Sequence, residues 1–194
     1  LFDLKGNELG QKSFPLKGIF PREDMYEEDM LEIWDKAVKC VKAVTEAFPD
    51  KEVVGIGITA QGDGLWMVDE NMEPVRNGCC FCDGRAAKIV DRWVEDGTCD
   101  KLFEITGTRI FTGNQNGIVK WMEEHEPENL DRSRWLLHLK DYLFYKFTGK
   151  VTTDATDQSL IFLDQNKRDY LDETFKICGI EKYKDKYPPV LSAK

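Results

Sequence analysis

An α/β layered domain is predicted by three features of the sequence. A hairpin-like opening precedes a long amphipathic helix, and that helix leads into a nearly continuous apolar run at residues 53–60, VVGIGITA. A run this short, rich in β-branched residues, reads as a strand buried on both faces. A helix feeding such a strand packs helices against a sheet. The third feature is size: 194 residues suffice for one sizeable core, and no repeat, low-complexity tract or linker divides them.

Each element follows in order. Leu1-Phe2-Asp3 and the turn residues Lys5-Gly6-Asn7-Glu8 predict a strand end and a hairpin, with residues 9–16 returning. Pro15 and Pro21 punctuate a connection. From Met30, apolar residues (Leu31, Trp34, Ala37, Val38, Val41, Val44) recur at helical spacing as far as Phe48, and Pro49 ends the helix. Beyond 53–60, residues 65–68 and 78–82 flank the turn-like Asp69-Glu70-Asn71 and predict a second antiparallel hairpin. Ala86, Ile89, Val90, Trp93 and Val94 make a helical stripe with Asp83 as its N-cap. Ile118, Trp121 and Met122 mark another helix, with Trp121 in the core. A strand-like Trp135-Leu136-Leu137 precedes a helix that turns Leu143, Phe144 and Phe147 inward and stops at Gly149. Residues 159–163 read as a strand, and 171–178 as a last helix ended by Gly179, before an extended Pro188-Pro189.

Composition narrows the function classes. The 27 Lys+Arg against 36 Asp+Glu leave a net charge of −9, which argues against nucleic acid or an anionic bilayer as the main partner. No apolar run approaches the ~18 residues of a membrane span. Six Cys in a chain of this length are too sparse for a disulfide scaffold and point to a reducing cytoplasm.

The most informative stretch is Thr59-Ala60-Gln61-Gly62-Asp63-Gly64-Leu65-Trp66. It leaves the predicted buried strand, where ligands of open α/β sheets bind. Gln61 offers both donors and acceptors and Asp63 acceptors only, a mixture suited to hydroxyls rather than to phosphates. The alternative is a tight turn with Asp63 solvated. In Cys79-Cys80-Phe81-Cys82-Asp83-Gly84-Arg85, the Cys79/Cys82 pair with Cys99 invites a zinc reading, but residues three apart on a strand point to opposite faces. Strand alternation instead places Phe81 and Asp83 on one face, able to flank a sugar. Thr112-Gly113-Asn114-Gln115-Asn116-Gly117 precedes a helix, with Asn114 or Asn116 as its cap or as a substrate contact. Lys140-Asp141 opens a helix with a first-turn acid. His125 and His138 have no recognisable triad partners, and the chain holds no metal-binding HExxH and no phosphate-binding Gly-rich loop.

Taken in register, several of these strings resemble the N-terminal domain of the FGGY carbohydrate kinases. They are Ile56-Gly57-Ile58-Thr59-Ala60-Gln61-Gly62-Asp63-Gly64-Leu65-Trp66, then Asp83-Gly84-Arg85-Ala86, Lys120-Trp121, Lys140-Asp141-Tyr142-Leu143 with Thr148-Gly149, and Thr153-Asp154-Ala155-Thr156-Asp157-Gln158-Ser159. The Gln-Gly-Asp-Gly version is most similar to the L-xylulose kinase and erythritol kinase branches. The resemblance implies an actin-like, ribonuclease-H-like fold with a mixed sheet flanked by helices and an incomplete first strand. It implies that residues 1–194 are a partial, sugar-binding N-terminal domain of an enzyme that transfers the ATP γ-phosphate, with Mg²⁺, to a ketopentose or small polyol. Gly62 and Asp63 then contact hydroxyls with Gln61. Phe81, with Trp66, packs on carbon, and Asp83 and Asn114 complete the substrate set. The family's Asp-x-Gly-Thr-Thr hairpin and its general-base aspartate, in a Gly-Asp-Gln motif, are expected outside this chain, which opens at Leu1 rather than Met. No catalytic or metal-binding residue is therefore expected within it, and the chain alone is expected to be inactive. A homodimer is compatible with this reading. The competing reading is a non-catalytic sugar-binding module.

Overall fold

In the computed structural model, residues 1–158, 162–164 and 166–191 are described. Their first half comprises β1 (Glu27–Glu28), α1 (Met30–Glu46), β2 (Trp66–Val68), β3 (Gly78–Cys79), α2 (Ala87–Glu95) and α3 (Thr98–Thr106). There follow α4 (Gln115–His125), α5 (Pro127–Arg132), β4 (Trp135–Leu137), α6 (Leu139–Thr148), β5 (Thr153–Asp154) and α7 (Ala155–Gln158). The chain continues through β6 (Leu163–Asp164), β7 (Asp169–Tyr170), α8 (Asp172–Ile177), a 3-10 helix at Glu181–Lys186 and β8 (Val190–Leu191).

A short antiparallel layer separates two cores. β2 pairs with β4, Trp66 opposite Leu137, and β1 pairs with β3. Leu65 and Cys79 exchange backbone hydrogen bonds of 2.8 and 2.9 Å and join the two pairs. Period-two alternation then sorts the side chains. Leu65, Met67, Cys79 and Leu136 pack among Ile89 and Trp93 of α2, Leu102 of α3, and Ile118 and Met122 of α4. Trp66, Val68 and Leu137 pack on the other side with Met30 and Ile33 of α1 and Tyr142 of α6. β5 pairs parallel with β8, and β6 antiparallel with β7, so the sheet content is mixed. No helix among the described residues is long and apolar enough to cross a membrane.

The expected helix from Met30 is present as α1, started by the Asp29 carboxylate, which accepts from the Leu31 and Glu32 amides at 2.8 and 3.2 Å. The first hairpin is reduced to a Phe2–Glu8 bridge, and residues 9–16 form no regular strand. The second hairpin forms but ends at Cys79, beyond which Phe81 and Cys82 lie in a turn. Residues 53–60 are not a buried strand. They run as extended coil, with Val54 74% and Ile56 53% exposed. A strand needs neighbours for its N–H and C=O groups. Here, residues 53–60 pair with no strand among the described residues, and grooves of about 440 and 650 Å³ lie against them. Leu143, Phe144 and Phe147 are only half-buried, because α6 turns Leu139, Asp141 and Tyr142 inward. Of the expected strand at 159–163, residues 159–161 lie outside the described residues, and Leu163 belongs to β6. α3 and α5 go unread in the sequence, since the buried face of α3 is Thr98, Leu102 and Thr106 rather than an apolar stripe.

Asp83 is not the N-cap of α2. That position is Ala86, without a side-chain cap. The Asp83 carboxylate instead accepts from Arg85 Nε at 2.8 Å, Arg85 Nη2 at 3.0 Å and the Tyr26 amide at 2.8 Å. Arg85 Nη2 also donates to Glu27 at 2.6 Å, and Arg76 bridges Glu27 to Glu126. Burial works against the Arg85 charge, but Asp83 and Glu27 hold its pKa above the ordinary value. This buried cluster ties β1 to the turn before α2. Glu27→Gln is therefore expected to destabilise the fold by about 3–5 kcal/mol, the usual result of leaving buried charges unpaired. Urea unfolding measures it, and a loss below about 1 kcal/mol, within the range of surface pairs, would refute the role.

Candidate functional site

The loop leaving residues 53–60 is locked by a second loop. Asp63 sits at φ 57°, in the left-handed region that Asp and Asn tolerate better than most residues. Asn114 Nδ2 donates to Asp63 Oδ1 at 2.6 Å, while Asn114 Oδ1 accepts from the Phe111 amide at 2.6 Å. The Gly64 amide donates to the Gly113 carbonyl at 2.9 Å. Gly113 lies so close to Phe81 that a Cβ there would be driven into the Phe81 carbonyl oxygen. Gln61 closes the arrangement: its Oε1 accepts from the Phe81 amide at 3.2 Å, and its Nε2 donates to Glu28 at 3.2 Å.

Exposure divides the seven sequence-predicted residues. Gln61 and Gly62 are half-buried, Asp63 is 7% exposed and Phe81 is 50% exposed, and the Gln61–Phe81 hydrogen bond ties the Asp63 loop to the Phe81 turn at the surface. Asp63 Oδ2 has no hydrogen-bond partner among the described residues. Asn114 is fully buried behind that surface and holds Asp63. It stands at the N-cap position of α4 but makes no side-chain cap. Trp66 is also fully buried, wedged under Gly64 and Gly78. Asp83 is buried in the Arg85 cluster and does not share a face with Phe81, because the strand ends before both. Cys79 is buried and Cys82 exposed, so the two do not converge, and burial pushes the Cys79 thiol up to about 12. Among the described residues, no group of three or more His, Cys, Asp or Glu side chains is placed to hold a metal ion.

Behind Asp63 lies a buried polar layer that sequence reasoning missed. His138 is fully buried, its Nδ1 at 3.3 Å from Gln158 Nε2 and 3.6 Å from Asp141 Oδ2. Asp141 also accepts from the His138 amide at 3.0 Å, completing a reciprocal cap on α6. Burial opposes the His138 charge, but Asp141, Asp157 and Asp63 outweigh it and raise its pKa. The only signal for this in the sequence is the three-residue spacing of His138 and Asp141, which marks a cap. Lys140 pairs with Asp157 at 2.7 Å and with Asp154, so the charges on α6 and α7 largely balance one another.

Comparison with known proteins bears on this geometry. The sequence model of the "FGGY family of carbohydrate kinases, N-terminal domain" matches residues 1–194. The chain belongs to the FGGY family of carbohydrate kinases. Among curated FGGY relatives, the L-xylulose/3-keto-L-gulonate kinase of Escherichia coli is 36% identical over 151 residues, covering 77% of this chain and 30% of the relative. The erythritol kinase of Brucella abortus is 26% identical over 192 residues, covering 98% of this chain and 37% of the relative. The chain thus spans well under half the length of these FGGY kinases. A solved ligand-bound xylulose kinase from Lactobacillus acidophilus superposes with a TM-score of 0.91 at 21% identity, over 98% of this chain and 39% of that one. The fold is accordingly the actin-like α/β fold of these kinases.

Burial raises the pKa of Asp63, opposed by the Asn114 hydrogen bond and by His138. The folded state therefore binds this proton more tightly than the unfolded chain does. The stabilisation is full below the ordinary carboxylate value and is lost as pH rises through the raised one. Asp63→Asn cannot ionise, tolerates the left-handed backbone and keeps an acceptor for Asn114. It is expected to raise the Tm at pH 7, with the gain shrinking towards pH 4. Thermal unfolding at both pH values tests this, and a Tm at pH 7 equal to or below wild type would contradict it.

Proposed function

We propose that this chain is the sugar-binding part of an ATP-dependent kinase that phosphorylates a hydroxyl of a ketopentose or small polyol, L-xylulose-like or erythritol-like. One observation carries the reading: Asp63 is buried and clamped through one carboxylate oxygen, while the other has no hydrogen-bond partner among the described residues, on a loop that Gln61 ties to the turn bearing the exposed Phe81 ring. A charged acceptor binds a hydroxyl donor more strongly than a neutral one does. In this reading Asp63 Oδ2 accepts from a substrate hydroxyl, the Gln61 amide and the Gly62 backbone meet a second, and Phe81 covers a carbon face. Asn114, Trp66 and Asp83 act from behind as positioning residues. The resemblance to L-xylulose and erythritol kinases supports the substrate class. Among the described residues, no group of three or more His, Cys, Asp or Glu side chains is placed to hold Mg²⁺. ATP, Mg²⁺ and the general base belong, in this reading, to parts of the kinase outside residues 1–194. In this reading the enzyme acts in the cytoplasm on a small molecule rather than on nucleic acid or a membrane, and a homodimer is compatible with it.

Two measurements test the proposal. In the intact kinase, Asp63→Ala is expected to lower kcat/KM for the sugar by about ten- to a hundredfold, the loss of a hydrogen bond to a charged group. Near-wild-type kinetics would remove Asp63 from the site. The 194-residue chain by itself is expected to show no ATP-dependent sugar phosphorylation, and measurable turnover would contradict the division of labour.

A further inference from the structure

We propose that Phe111 is a second aromatic contact of the sugar site, covering carbon-bound hydrogens of the substrate as Phe81 does. The proposal rests on the carbohydrate reading of the Asp63 loop and adds a residue to it. Phe111 opens the turn before α4 and is 42% exposed. Its neighbour Ile110 packs against the core that holds Leu65 and Trp93, whereas Phe111 belongs to neither core. A single exposed ring is ordinary on a protein surface. This one is set apart by what holds it. Asn114 Oδ1 accepts from the Phe111 amide at 2.6 Å, and the Asn114 amide donates to the Phe111 carbonyl at 3.1 Å. The same side chain donates through Nδ2 to Asp63 Oδ1 at 2.6 Å. One buried asparagine therefore clamps both the backbone that carries the ring and the carboxylate.

Gly113 brings the Phe81 turn to the same place. The point that a Gly113 Cβ would occupy lies 1.6 Å from the Phe81 carbonyl oxygen and 2.8 Å from Cε2 of the Phe111 ring. The Phe111 ring thus lies across Gly113, close to the main chain of the Phe81 turn, and a side chain at position 113 would push the two apart. The Gly113 carbonyl also accepts from the amide of Gly64, the residue after Asp63. Three turns meet at this glycine: one carries the Asp63 carboxylate, and each of the others carries a ring with about half its surface open to water. A sugar presents hydroxyls and C–H groups together. A charged acceptor takes the hydroxyls, and the negative face of an aromatic ring takes the polarised C–H groups. A turn already fixed at its backbone has little left to order when a ligand arrives.

L-xylulose is the probe, added to the wild-type 194-residue protein. Its carbon-bound protons are expected to give intermolecular NOEs to the ring protons of both Phe81 and Phe111. NOEs to Phe81 without Phe111 would overturn this proposal and leave the carbohydrate reading standing, whereas NOEs to neither ring would overturn both. Substitution supplies a second readout. Phe111→Leu keeps the apolar bulk and the backbone bonds to Asn114 but removes the ring. It is expected to weaken L-xylulose by about two- to tenfold, the worth of an aromatic contact. Phe111→Tyr keeps the ring and is expected to bind as wild type does. Wild-type affinity in Phe111→Leu, or equal weakening by the two variants, would overturn the proposal.

Discussion

A single hydrogen bond between two loops, from Asn114 Nδ2 to Asp63 Oδ1 at 2.6 Å, sets the geometry on which the rest of the site depends. Asp63 is held in a left-handed backbone conformation that few residues enter unaided, and burial disfavours its charge. Either feature alone would favour a solvated turn. Asn114 counters both, because it satisfies one oxygen and ties the loop to the start of α4. What remains is one carboxylate oxygen with no hydrogen-bond partner among the described residues, the feature on which the proposed hydroxyl recognition rests.

The rest of the fold holds those loops still. Trp66 fills the space under Gly64 and Gly78, so the turn that carries Asp63 rests on a ring rather than on water. The Glu27–Arg85–Asp83 cluster anchors the strand edge next to Phe81, and Glu28, the neighbour of Glu27 on β1, bonds Gln61. Packing and electrostatics thus meet on β1, with one acid facing the buried cluster and the next facing the site. Alternation along a strand makes that division available to adjacent residues.

Much of this was legible in the sequence, and the exceptions have physical reasons. The helical stripes of α1, α2 and α4 were readable because their apolar spacing is regular, and Gly149 and Gly179 marked helix ends through their positive φ. The Gln61–Asp63 loop stood out because two glycines bracket an acid after an apolar run. Residues 53–60 carry the composition of a central strand, yet pairing depends on neighbours that composition does not specify. Asp83 reads as a helix cap from its position, but a buried arginine two residues on competes for it and wins. The roles of Asn114 and His138 depend on contacts across 51 and 20 residues of chain, beyond the reach of any local pattern.

The most direct test of the account is to map where a sugar touches the protein. L-xylulose titrated into the ¹⁵N-labelled chain should shift the amides of Gly62, Asp63, Gly64 and Phe81 and the side-chain amide of Gln61, with Asn114 following because it is bonded to Asp63. Shifts confined to other surfaces, or saturation that persists unchanged in the Asn114→Ala protein, would contradict the claim that two interlocked loops form the carbohydrate site.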